Sequence, residues 1–579
     1  MLVWITATLA AIAVSAQTAA SQKDAALAAY RQGLADVQSG DAAGAQASFE
    51  RSINLDPRSA DAQNALGQLL LQQGNVAGAI THLRAVVHLK PQLAVAHAYL
   101  AEALIRQGSV DEAVSELRVA VSLAPQQSEA HRELAKALNQ QKKTDEAVRE
   151  MKSAVALAPG LADLHDELGV LLAQRSEFDS AANQFHAALE RDPQFEPAEF
   201  HLGAALQGLG DQRGAQSALE TAVKLDPKDG TAWYYLGTAY EATGDKDGAL
   251  RAYQRAAALT PNLAPVETRL GLLLQRMGDP EQAIAAFRKV VSLTPRDPEA
   301  HNNLGLALLQ HGEGDEAVKE FQIALNLHPA DAGIEENLGV AYLQRTDFDA
   351  AIQQFQGALQ SSPEKASLHY DLGVALKLKD DLSAAKTEFE RAIQLDPELA
   401  DAHYTLGVTL WQQGEFAAAV DQLQAAVHAK PDYAEAYYTM GTVLKQMNKL
   451  PEAAAALREA IRLQPDFAGA HTNLAAILRQ QGESEAAANE ARAGAAIAKR
   501  ITSLQAATFT TNSGRRLLEA GDLEGAISQF HSAITSMPGY APAHYQLGLA
   551  LERKGEKQGA AEEFRKALEL DPQLTPPGK

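Results

Sequence analysis

The sequence of 579 residues predicts an all-α protein, a solenoid of repeated helical hairpins. Three observations predict it. Prolines recur every 34 residues without a slip from Pro57 and Pro91 through Pro431 to Pro465, and after one break Pro538 and Pro572 resume the interval. Between successive prolines, apolar residues fall at helical spacing in two separate runs. A glycine or another turn former stands between the runs. Self-similarity at this period marks small units that bury their apolar faces only against their neighbours.

Residues 400–433 show the elements in order. Ala402, Leu406, Gly407, Leu410 and Trp411 form the stripe of a first helix. Gly414 interrupts it, because a helix C-terminus favours a left-handed residue and glycine adopts that conformation without strain. Eleven of sixteen units carry glycine here, and Asp380 and Asn448, which tolerate the conformation, replace it in two others. Phe416, Ala419, Val420, Leu423, Ala426 and Val427 form the second helix, and Pro431 stops it. A small residue follows the leucine of every first helix, as at Gly67, Ala101, Gly237 and Gly548, and every second helix has an early alanine, as at Ala249 and Ala385. Such residues let two helices approach to about 8 Å. Four places after that alanine a larger residue fills the groove, as at Phe185, Phe287 and Phe389.

Unit 230–263 carries the pattern most fully, with Trp233, Leu236, Gly237, Tyr240, Ala249, Tyr253, Ala256 and Pro261. It resembles the tetratricopeptide repeat (TPR). The resemblance covers residues 26–501 as a fourteen-unit array and 507–574 as a two-unit end piece. It implies an α-α superhelix, right-handed, of antiparallel hairpins, with a concave groove lined by first helices. It also implies a scaffold that binds proteins.

Four segments lie outside the repeats. Residues 1–22 carry no charge, and Leu2 to Ala16 form an apolar run ending Val14-Ser15-Ala16. Residues 1–16 read as a signal peptide and 17–25 as an N-terminal linker, although no basic residue precedes the run. Export to the periplasm or outside the cell is therefore expected, with a cytoplasmic protein as the alternative. No membrane insertion is expected once the signal is removed. At the lattice break Lys499 stands where proline is due, so the second helix should run on towards Ala507 through a helical junction at 502–506, and the stack should bend there. Residues 575–579 form a tail.

Composition and motifs narrow the function. A net charge of −22 disfavours nucleic acid, whose phosphates need clustered cations. With no cysteine, disulfides and thiol chemistry are excluded. No phosphate loop, nucleophile elbow or HExxH motif is present, and the repeats leave no room for a catalytic domain, so neither enzyme activity nor a cofactor is expected. Histidine recurs at one repeat position, as at His97, His131, His165 and His403. Equivalent atoms in successive units lie roughly 8–10 Å apart, too far for one metal, so packing between helices is the expected role.

One place further along stand the candidate peptide-binding residues Tyr234, Tyr370, Tyr404 and Tyr438, each a rigid apolar body with a polar tip. Trp411 adds aromatic surface. Asn302, Asn303 and Asn337 can bond a peptide backbone without reading its sequence. Arg132 and Lys136 supply cations in one unit, but Asp166 and Glu167 follow in the next, which departs from the clamp that holds acidic tails in some TPR proteins. The reading is a non-catalytic scaffold that holds a peptide or partner helix, in a cell-envelope complex. Two alternatives stand: an accessory subunit of an enzyme or polymer-export machine carried on another chain, or an intracellular regulator if the N-terminal run is not a signal.

Overall fold

A computed structural model describes residues 2–574, with side chains from residue 21 onward. The tail at 575–579 lies outside the described residues. Among the described residues there are 31 helices and no strand. After the opening helix Leu2–Ser39 and its partner Ala42–Leu55, the chain repeats pairs such as Ala60–Gln72 with Val76–Leu89 and Ala400–Gln412 with Phe416–Ala429. The chain divides into two compact units, Met1–Pro295 and Arg296–Lys579, each a run of helical hairpins.

Backbone chemistry sets the hairpins. At the first turn Gly414 has φ 82°, and the amides of Gly414 and Glu415 donate back to the carbonyls of Trp411 and Leu410 at 3.0 and 2.9 Å. That pairing satisfies carbonyls the helix end would leave bare. Lys142, Ser176, Thr346, Asp380 and Asn448 take the same left-handed conformation in units without glycine. Second helices are often capped by aspartate: Asp381 accepts from the amide of Ala384 at 3.1 Å, and Asp211 from that of Gly214 at 3.0 Å.

The core lies between the two helices of each hairpin and between hairpins. Ala385, Phe389 and Leu406 are buried in the second compact unit, and Ala113, Leu117 and Leu134 in the first. A β-carbon added at Gly373 would stand 2.6 Å from the Phe389 ring, and one at Gly169 would stand 2.4 Å from Phe185. The small residue of the first helix is thus a socket for the large residue of the second.

Two expectations about segments meet particular structure. Residues 17–25, read as a linker, lie within the helix Leu2–Ser39. The junction at 502–506 lies within one helix, Ser484–Glu519, which passes Ala507 and includes the whole first helix of the next unit. Among the described residues no helix is long and apolar enough to cross a membrane.

Candidate peptide-binding face

The fourth residue of several first helices ties its hairpin to the connection before it. Here the histidines do more than pack. His97 is buried, with Nε2 3.0 Å from the Pro91 carbonyl and Nδ1 2.5 Å from Glu116. His131, His471 and His544 repeat both contacts, on Pro125 and Glu150, Pro465 and Glu490, and Pro538 and Glu563. In His165 and His403 a glutamine replaces the glutamate. A carbonyl only accepts, so Nε2 donates. Trp233 donates its indole N–H to Pro227 in the same way, at 3.1 Å. The lattice proline therefore ends one helix and lends its carbonyl to the next. The signal was in the sequence, since Glu or Gln stands 19 residues after these histidines. It links two helices, so neither helical stripe reveals it. No group of His, Asp and Glu fit to hold a metal occurs among the described residues.

The fifth residue of one first helix meets the sixth residue of the next. Arg132 makes a double hydrogen bond to Glu167, at 2.9 and 2.7 Å, and also pairs with Asp163. These partners raise its affinity for the proton, led by the hydrogen bond to Glu167. Lys136 lies 3.2 Å from Glu167 as well. Both cations are thus neutralised within the chain. Asp166 accepts from His201 at 2.7 Å. Lys136, Asp166, Glu167 and His201 border a cleft of about 290 Å³ with Asn139 and Val170.

The same register carries the candidate residues. Phe200 meets Tyr235 edge to face at 5.3 Å, and Tyr234 stands against Tyr235 at 5.6 Å. Asn337 donates to the Asn302 carbonyl oxygen at 2.9 Å, so the two amides partly satisfy each other. Both border a cleft of about 400 Å³ with Glu299, His328 and Asp331. Asn303 is half-buried beside them. Tyr370 hydrogen-bonds Thr405 and stands 6.0 Å from the Phe389 ring; burial pushes its hydroxyl pKa up.

Tyr404 and Tyr438 are half-buried against aromatics of the next connection, Tyr433 at 5.0 Å and Phe467 at 4.5 Å. Tyr433 donates to Asp401 at 2.9 Å. Trp411 donates to Gln446 at 2.8 Å. Tyr370, Tyr404, Trp411 and Tyr438 therefore share one run of adjacent hairpins, whereas Tyr234 belongs to the other compact unit.

One step of the register differs. Glu336 and Asp371 are both carboxylates. Burial first and Glu336 second push the Asp371 carboxyl up to about 7, with Lys365 opposing. Lys365 and Ser367 both bond Glu336, at 2.5 and 3.1 Å.

Stacked hairpins presenting a repeating row of side chains within each compact unit define a repeat scaffold for protein interaction. Sequence models of the tetratricopeptide repeat match residues 30–94, 336–385, 379–434 and 511–575. Others match 70–138 and 104–166, and 441–482. The model described as the cytochrome c-type biogenesis protein H TPR domain matches 210–334. Between them these models cover most of the chain, which belongs to the tetratricopeptide repeat family.

No curated protein matches it. Among solved structures, MamA is 31% identical over 30% of this chain and 94% of its own, with a TM-score of 0.28. A tetratricopeptide repeat protein from Parabacteroides merdae is 18% identical over 43% and 98%, with a TM-score of 0.33. The Cut9–Hcn1 hetero-tetramer of the APC/C gives 15% identity over 72% and 96%, with a TM-score of 0.36.

Proposed function

We propose that the chain is a non-catalytic scaffold that holds an extended segment or helix of a partner protein along the first helices of residues 366–446. The row of half-buried tyrosines carries this reading. Tyr370, Tyr404 and Tyr438 repeat in adjacent hairpins, each with a ring supported from behind by another aromatic. Rigid, pre-positioned aromatic rings lose little entropy on contact and act as anchors. Within the same compact unit the amides of Asn302, Asn303 and Asn337 extend the register for longer partners, and the aromatic cluster around Tyr234 offers a separate contact on the other unit.

We further propose that the scaffold works in the cell envelope after export, the apolar run Leu2 to Ala16 being the signal. The match at 210–334 to a cytochrome c-type biogenesis protein H TPR domain suits a role in the biogenesis of another protein.

The test is affinity capture from source-cell extract with the wild-type chain and with the triple variant Tyr370→Ala, Tyr404→Ala, Tyr438→Ala, both checked for helical content. The variant is expected to lose partners that the wild type retains. Equal recovery of the same partners overturns the assignment. N-terminal sequencing of the mature protein is expected to begin at Gln17, and a chain beginning at its first residues overturns export.

A further inference from the structure

Two clefts open between successive first helices of the first compact unit. One, of about 500 Å³, lies between Ala94–Gln107 and Ser128–Gln140. Val95, Tyr99, Ile105 and Leu117 give it an apolar side. Its charged lining is the carboxylates of Glu102, Glu129 and Glu133. The other is the cleft of about 290 Å³ beside Asp166 and Glu167, with Met151, Val170 and Leu171 as its apolar side. Leu117 and Met151 hold the same place in successive repeats. Glu133 of the first cleft lies 3.3 Å from Lys136 of the second, so one continues into the other.

The carboxylates here outnumber the cations that serve them. Arg132 is shared by Glu129, Asp163 and Glu167, and Lys136 by Glu133 and Glu167. Glu129 has the poorest share, 3.6 Å from Arg132 with its side chain 70% exposed. Glu102 pairs with Arg106, which also donates to the Leu71 carbonyl. An apolar occupant would strip water from these carboxylates and give nothing back, and an acidic one would be repelled. A basic occupant meets both surfaces. The stem of a lysine or arginine is apolar and covers Val95 and Leu117, while its head reaches the carboxylates. Tyr99 borders the same space, and an aromatic ring attracts a cation.

We propose that these two clefts hold a segment of a partner protein rich in lysine and arginine, laid between the hairpins from residue 95 to residue 171. The net charge of −22 draws such a segment in from a distance. The inference rests on the scaffold reading but not on the tyrosine row, which belongs to the other compact unit. Either assignment can therefore fail alone.

The test is fluorescence anisotropy with the full chain, a labelled lysine–leucine peptide and its glutamate–leucine counterpart. The lysine–leucine peptide is expected to bind, more weakly as salt is added, and the other not to bind. The triple variant Glu102→Gln, Glu129→Gln, Glu133→Gln should weaken binding at least ~tenfold with helical content retained. A control removes the same charge from exposed positions of the same compact unit outside the clefts, Glu190→Gln, Asp247→Asn and Glu281→Gln. It should keep the wild-type affinity.

Equal weakening in both triple variants means attraction by bulk charge alone and overturns the proposal. So does equal binding of the two peptides, or no binding of the lysine–leucine peptide. If the glutamate triple variant fails to fold, the single variant Glu129→Gln decides, and wild-type affinity in it overturns the assignment.

Discussion

His97 shows how much a single side chain contributes to this repeat. Its ring fills the space between two helices and satisfies two acceptors on separate segments, the Pro91 carbonyl and the Glu116 carboxylate. His97→Ala leaves both without their partner and opens a cavity, and should cost roughly 1–3 kcal/mol in urea denaturation. Thr346 illustrates the opposite case. A β-branched residue at φ 61° is strained, so Thr346→Gly should stabilise by about 1 kcal/mol, seen as a higher melting temperature.

Asp371 predicts a pH dependence. Its folded-state pKa, about 7, lies above the ordinary 3.8, so its stabilising contribution is full below about pH 4 and is lost as pH rises through 7. Asp371→Asn should therefore stabilise by roughly 1–2 kcal/mol above that range and make little difference at the acid end, in melts compared across pH. The tyrosines and asparagines of the candidate face could be placed in the repeat from sequence. Their partners could not: the Asn302–Asn337 bond and the Tyr404–Tyr433 contact join different hairpins, and their register is set by stacking.

At the scale of the element, each hairpin obeys a size rule. Where the second helix brings Phe or Tyr, the first helix offers glycine, as in Gly169 with Phe185, Gly237 with Tyr253 and Gly373 with Phe389. Where the first helix has alanine, the second brings something smaller: Ala101 faces Leu117 and Ala135 faces Met151. Gly373→Ala alone should cost about 1–3 kcal/mol by overpacking. Adding Phe389→Leu should recover much of that loss, because the pair then copies Ala101 and Leu117. A double-mutant cycle with no coupling between the two sites would contradict the rule. Both halves of each pair were visible as separate columns in the sequence. The hairpin length was equally legible, because glycine and proline act on the backbone next to them. The end of the helix beginning at Ser484 was less so. Lacking a proline at Lys499, it continues to Glu519, and only the next turn former, Gly521, closes it.

Across the whole molecule the chain forms two compact units, Met1–Pro295 and Arg296–Lys579. The sequence where the chain passes from one to the other, at Pro295 and Arg296, keeps the regular period. In a stack each hairpin leans only on its neighbours, so either part should stand alone. A fragment of residues 296–579 should keep the helical signal of its hairpins and unfold cooperatively, measured by circular dichroism during heating.

The sequence by itself determined the hairpin, its repetition and its family, because turn chemistry and helical periodicity are local and are written afresh in every unit. Tertiary structure alone decided which side chains meet across units. The fifth-to-sixth residue pairing depends on how one hairpin stacks on the next, as the histidine clamp depends on how the two helices of one hairpin meet. That stacking places residues about one repeat apart in contact, and no local pattern encodes the distance between them.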